Sequence, residues 1–225
     1  MRRALLLAPA AVLAAAPAAH GATLTTARTC YLQTDKAPSV EVAASGFAPG
    51  RPYSVALDGA PLPGGTGQTD DAGAMSGKFG PALATGELER TFQLAVSSDD
   101  LVAATAFTVT RFRADFTPTK GNPATLRVRF SAYGFGLVKP QQDVYVHYVR
   151  PNGRLKRTVR LGRAAGQCGS IPRTNKRRLF PFALKRSDTG RWTLQFDTSK
   201  SYKKGTASSD FLFYTLAVPV KRRSS

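Results

Sequence analysis

A hydrophobic pattern of period two, in short runs broken by Gly, Pro, Asp and Ser, most constrains what this chain can fold into. After Ala22 no stretch sustains the three-to-four-residue spacing of an amphipathic helix. The alternation is cleanest at Leu126, Val128, Phe130 and Ala132, which face away from Arg127, Arg129 and Ser131. Trp192, Leu194 and Phe196 likewise oppose Arg191, Thr193 and Gln195. Successive strand side chains point to opposite faces, so the apolar sets are expected in a core and the polar sets in solvent.

Such runs cover Cys30–Gln33, Ser39–Ala44, Pro52–Asp58, Gly67–Thr69, Ala74–Phe79, Arg90–Val96 and Thr105–Thr110. They resume at Arg111–Phe116, Thr125–Tyr133, Asp143–Arg150, Leu155–Leu161, Leu179–Leu184, Gly190–Thr198 and Asp210–Val218. Arg150-Pro151-Asn152-Gly153-Arg154 is a turn signal, so residues 143–161 read as a hairpin. The expectation is an all-β chain of two tandem immunoglobulin-like β-sandwich domains after a cleaved signal peptide, with boundaries at 1–22, 23–110 and 111–225.

The signal is expected from Arg2 and Arg3, the uncharged Ala/Leu-rich stretch from Ala4 to Ala19, and the small residues at 16–22 that offer cleavage points. Pro9 and Pro17 interrupt that stretch, which is short for a membrane span, and no later apolar run is long enough to cross a bilayer. A secreted or cell-surface location follows as the expectation.

Short turn motifs carry a family resemblance. Ser45-Gly46-Phe47-Ala48-Pro49-Gly50, then Leu57-Asp58-Gly59, then Thr69-Asp70-Asp71-Ala72-Gly73 resemble the turns of tandem immunoglobulin-like (IPT/Big-type) modules of bacterial secreted and cell-surface proteins. Asp188-Thr189-Gly190-Arg191-Trp192 is similar to the D-x-G-x-Tyr corner of such folds, with Trp192 where Tyr is usual. An indole N–H can donate a hydrogen bond but not accept one. The resemblance implies structural roles for Asp188, Gly190 and Trp192, and little about function.

The two cysteines, Cys30 and Cys168, fall in different halves. An oxidising compartment favours pairing. Cys30 lies on a first strand running toward the domain boundary, and the loop after Leu155–Leu161 projects back toward it. A disulfide is therefore geometrically open, with free or intermolecular thiols as the alternative. Two thiols do not fill a tetrahedral metal shell, and no metal or cofactor is expected.

Catalytic signals are weak. His147 sits mid-strand with no G-x-S-x-G elbow, and reads as a locally bonded strand residue. Asp70-Asp71, Glu87/Glu89 and Asp99-Asp100 lack Ca²⁺-loop spacing and read as turn carboxylates. The chain is not expected to be an enzyme.

Charge is the one functional signal. The formal net charge is +18, yet residues 23–110 hold 5 basic and 9 acidic residues, whereas residues 111–225 hold 25 basic and only 5 acidic ones. The candidate anion-binding residues are Arg111, Arg113, Arg127, Arg129, Arg154, Lys156, Arg160, Lys176, Arg177, Arg178, Lys203 and Lys204, with a basic tail at Lys221-Arg222-Arg223. The guanidinium fork matches phosphate and carboxylate oxygens. A structural, adhesive or binding role follows, the basic domain docking to an anionic envelope polymer or lipid head groups. A solvated Arg-rich surface is the alternative, and the acidic first half is a possible internal partner. Tyr and Phe fall mostly at core parity, which argues against nucleic-acid recognition. The competing functions are a protein-binding module using an unpaired strand edge beside an apolar patch, and a hydrolase whose pocket unites His147 with a carboxylate and a Ser.

Overall fold

The structure, a computed structural model, describes residues 21–204, 208 and 211–221. The signal segment 1–20, Asp210 and the tail residues Arg222 and Arg223 lie outside the described residues.

The first module contains β1 (Thr23–Thr26), β2 (Cys30–Leu32), β3 (Val40–Ser45), β4 (Pro52–Leu57), β5 (Ala60–Gln68), β6 (Met75–Phe79), β7 (Glu89–Ser98) and β8 (Leu101–Thr110). They form a three-stranded sheet, β1-β3-β6, and a five-stranded sheet, β2-β8-β7-β4-β5. The chain leaves the first sheet after β1 and crosses to the second, where β2 runs parallel to β8 and closes that side of the sandwich. Val40, Val42 and Ala44 point inward from β3, and Phe92, Leu94 and Val96 from β7, as their parity requires.

The second module contains β9 (Arg113–Thr117), β10 (Arg127–Tyr133), β11 (Asp143–Val149), β12 (Leu155–Arg163), β13 (Arg177–Arg178), β14 (Gly190–Asp197) and β15 (Tyr214–Val220). Its sheets are β13-β10-β9 and β12-β11-β14-β15. The first, second and fifth strands against the third, fourth, sixth and seventh is the immunoglobulin-like distribution. Val128, Phe130, Val146, Tyr148, Trp192, Leu194 and Phe196 fill its interior, which forms a cluster separate from that of the first module.

Several expected elements differ. β1 carries one buried residue, Leu24, between exposed threonines, too short a pattern to register. β5 starts at Ala60, well before the expected Gly67, and runs through Pro61 and Pro63; it is an edge strand, where missing N–H groups are tolerated. Leu179–Leu184 is not a strand: Leu179 and Phe180 are buried consecutively, which breaks alternation, and Pro181 cannot donate to a ladder. Only Arg177–Arg178, just before it, pairs with β10.

Two of the turn motifs that carry the resemblance, those at 45–50 and 69–73, interlock. The Phe47 N–H donates to the Gly73 carbonyl at 3.1 Å, and the Thr69 hydroxyl donates to the Ala48 carbonyl at 2.6 Å. Gly73 has φ +70°, and a Cβ there would lie 1.9 Å from the Phe47 carbonyl oxygen. Only glycine fits this contact.

At the junction, Cys30 and Cys168 form a disulfide with Cα atoms 5.2 Å apart, the pairing that strand parity leaves open. Cys30 stands in register with Thr108 of β8. The Thr108 hydroxyl donates to Gln167 Oε1 at 3.0 Å, and the Ser170 hydroxyl donates to the Glu89 carboxylate. The Cys168 loop presses onto the β10–β11 connection: Gly136 N–H donates to the Cys168 carbonyl at 2.8 Å, and a Cβ on Gly169 would lie 2.3 Å from the Gly136 nitrogen. Neither glycine leaves room for a side chain. Among the described residues no ion pair crosses from one module to the other.

Gly73→Ala is expected to lower stability by about 3 kcal/mol, from the left-handed backbone cost plus displacement of Phe47, read as a shift in the urea midpoint. Reduction is expected to add the mass of two hydrogens to the intact protein. Opening the 138-residue loop is expected to lower unfolding free energy by about 5 kcal/mol in the chain-entropy model, read by denaturation with and without reductant.

Candidate functional site

The candidate basic residues divide by what they touch. Arg113 pairs with Asp115 at 3.0 Å and Arg160 with Asp143 at 2.7 Å. The hydrogen bond from Arg160 holds the Asp143 carboxyl below its ordinary range. Arg111 Nε donates to the Glu87 carbonyl at 3.1 Å, across the junction. Arg177 spends both terminal nitrogens on the carbonyls of Arg160 and Leu161. Lys156 and Lys203 lie over the rings of Phe182 and Phe211, at 5.7 and 5.2 Å from the centroids. Arg154 and Lys204 are exposed away from these.

Four others gather in one place. Arg127 and Arg129 project outward from β10, Arg178 stands directly opposite Arg127 on β13, and Lys176 ends the preceding loop. Like charges directly opposite one another are unfavourable, so this arrangement favours an anion over its own neighbours. Arg173, which the sequence reading leaves out, joins them. It lies in a non-alternating loop, between Pro172 and Thr174, and only the path of that loop brings it here. The loop is fixed along β10: the Thr174 N–H donates to the Phe130 carbonyl, and the Phe130 N–H to the Thr174 hydroxyl oxygen, each at 2.9 Å. Arg127 and Arg129 donate to the carbonyls of Lys176 and Thr174 at 3.4 and 3.3 Å. Each of these contacts uses one guanidinium nitrogen. Between this loop and the Thr117–Pro118 corner lies a groove of about 520 Å³, lined by Arg129, Arg173 and Lys176 with the hydroxyls of Thr117 and Ser131, and by no carboxylate.

The local acids are already committed. Among the described residues of the basic half, Asp115 pairs with Arg113, Asp143 with Arg160, Asp188 with Arg150 at 3.9 Å and Asp197 with His147. None is left for Arg127, Arg129, Arg173, Lys176 or Arg178.

His147 is fully buried on the outer face of the larger sheet. Its Nε2 faces two acceptors, Asp197 Oδ1 and the Ser199 carbonyl, both at 3.1 Å, which places the hydrogen there. Nδ1 then accepts from the Thr158 hydroxyl at 2.8 Å. Asp197 also accepts from the Ser199 N–H and from the Gln195 side chain, each at 2.8 Å. The Ser199–Lys203 segment covers this network, with Tyr202 beside the imidazole at 5.6 Å between centroids. This explains why Gln195, at solvent parity, is buried. Thr158, His147 and Asp197 form a hydroxyl–imidazole–carboxylate series, yet none of the three lines a described groove. Its visible effect is to strap the covering segment onto the sheet.

Trp192 Nε1 donates to the Asp188 carbonyl at 2.7 Å, so the corner bond is made by an indole donor. The Asp188 carboxylate accepts from the Lys185 N–H at 2.9 Å, and Gly190 opens β14 against Pro151. The other acidic pairs serve turns and surface bridges: Asp70 accepts from the N–H groups of Ala72 and Ala74, and Asp99 pairs with Arg51. Among the described residues no three His, Cys, Asp or Glu side chains group as a metal site, and no helix is long and apolar enough to cross a membrane.

On the opposite flank of the module, β15 pairs among the described residues with β14 alone. Beside it runs a groove of about 310 Å³ whose apolar part is lined by Phe116, Leu126, Leu179, Leu216 and Val218, with Asp115 and Thr119 at its polar part.

No family model matches the chain. No curated protein matches it either. Among solved structures it is similar to bovine butyrophilin, at 8% identity and TM-score 0.33, covering 92% of this chain and all of that one. It is also similar to a Ca²⁺-stabilized ice-binding adhesin of an Antarctic bacterium, at 14% identity and TM-score 0.31, over 88% of this chain. A tetra-tandem repeat from the extending region of a large adhesion protein gives 11% and 0.30. The chain spans about half the length of the two adhesin chains, at 47% and 48%. Likeness at this level identifies no relative.

His147→Ala is expected to cost about 3 kcal/mol, because it removes one of the donors to the buried Asp197 carboxylate and the acceptor of the Thr158 hydroxyl, and denaturant titration reads it.

Proposed function

We propose that this is an exported, non-enzymatic protein with a structural or adhesive role, whose basic second module docks to anionic envelope material. One observation carries the reading: Arg127, Arg129, Arg173, Lys176 and Arg178 share one face, and every described carboxylate of their half is already paired elsewhere. The disulfide fits an oxidising, extracellular compartment. The signal segment belongs to the same reading.

A second reading has its own observation. β2 fills the flank of β8 in the first module, whereas the flank of β15 pairs with no described strand and borders a partly apolar groove. A partner presenting an extended strand would add to β15 in parallel, as β2 adds to β8.

The docking reading predicts retention on an immobilised polyanion that weakens about 10²-fold or more between 50 and 200 mM salt, since neutralising about five anionic groups releases their counterions. No retention at low salt, or retention indifferent to salt, sinks it.

A further inference from the structure

We propose that the groove between the Thr117–Pro118 corner and the Pro172–Lys176 loop seats the phosphate or sulfate groups of a linear polymer, with Arg129, Arg173 and Lys176 as its ligands. The proposal rests on the docking reading and assigns it a place and a chemistry. The groove is built rather than incidental. Its cationic wall is held by the Thr174–Phe130 pair of hydrogen bonds, its opposite wall by the pairing of Thr117 with Arg129, and its lining contains no carboxylate.

Two features select a tetrahedral oxyanion. Arg129 uses one terminal nitrogen on the Thr174 carbonyl and keeps its remaining donors for a ligand. The hydroxyls of Thr117 and Ser131 add short neutral donors beside the cations. Arg127 and Arg178 extend the positive face past the groove, one pleat along β10 and across to β13. Same-face residues repeat at roughly 6.6 Å on a strand, so the cations form a track for successive charges of one chain.

Three observations separate a flexible polymer from other polyanions. Arg129 is half-buried in the groove, set back from the exposed Arg173 and Lys176, so a flexible chain reaches all three more readily than a flat bilayer does. The large exposed apolar residues, Leu32, Leu101, Val102, Val138 and Leu155, do not line it; its exposed apolar lining is the two prolines Pro118 and Pro172, too short to insert into a bilayer. Phe130 lines the groove but is fully buried, so it offers no face on which a nucleic-acid base could stack.

The test is binding of the full exported protein to long-chain inorganic polyphosphate across a salt series. Arg129→Gln/Arg173→Gln/Lys176→Gln is compared with Arg154→Gln/Lys156→Gln/Lys204→Gln, which removes the same charge elsewhere. The groove variant is expected to bind at least about 10-fold more weakly at low salt and to lose about two of the units in its log–log salt slope. The control is expected to lose less than about 3-fold. Arg173→Glu alone, at an exposed loop position, is expected to weaken binding without altering the urea midpoint, and it stands in if the triple variant misfolds. Equal losses in the groove and control variants overturn the groove while leaving the docking reading intact. Tighter binding to anionic phospholipid vesicles, or to single-stranded DNA, than to polyphosphate overturns the polymer assignment. Failure of the unmodified protein to bind polyphosphate at low salt while it is retained on another immobilised polyanion overturns the groove alone; failure on both removes the docking reading with it.

Discussion

A covalent cross-link between strand β2 and the loop after β12 is the constraint on which the arrangement of this molecule depends. It fixes one end of a loop whose other end builds the cationic groove. From Cys168 the chain continues through Ile171, which pairs with Ala132, to Thr174, which pairs with Phe130, and on to β13. The loop is thus anchored on the first module at one end and laid along β10 at the other. Arg173 and Lys176 owe their positions to this double anchorage, since Pro172 excludes a regular strand there.

The charge distribution follows from scarcity of acids. Each described carboxylate of the second half serves one specific pairing, and two of these pairings, at Asp188 and Asp197, are buried in support of the fold. The remaining strand cations are therefore disposed by parity, and the loop cations Arg173 and Lys176 by the path of their loop. Parity sends Arg127 and Arg129 outward together and brings Arg178 against them. Elsewhere the cationic heads are absorbed by carbonyls and aromatic rings, as with Arg177, Lys156 and Lys203.

The alternating segments of the chain were legible because one face of each is buried and the other wet. β10 and the apolar face of β14 obey the rule residue by residue, and counting strands to the shared boundary left the cross-module disulfide geometrically open, the alternative that the structure takes. Alternation fails where burial has another cause. Gln195 occupies a solvent-parity position yet is covered by the Ser199–Lys203 strap, which is tied down by a histidine whose partners are distant in sequence. Leu179 and Phe180 enter the core side by side ahead of a proline. The basic face was legible as a charge excess in one half. Its convergence on five residues was not, because Arg173 reaches the groove through loop path rather than periodicity.

The position of the disulfide has a mechanical consequence. A pull applied between Thr23 and Lys221 passes along β1 to Cys30, crosses the sulfur–sulfur bond to Cys168, and continues through β13, β14 and β15. The 138 residues of separation spanned by the bond, which include β3 to β12, lie off that covalent path. At about 3.4 Å per extended residue, roughly 470 Å of contour is withheld from stretching while the bond is intact. Under tension the covalent path is a short tether beside a slack loop: of the first sandwich only β1 and the start of β2 lie on it, so the load enters that sandwich through the β1–β3 and β2–β8 pairings.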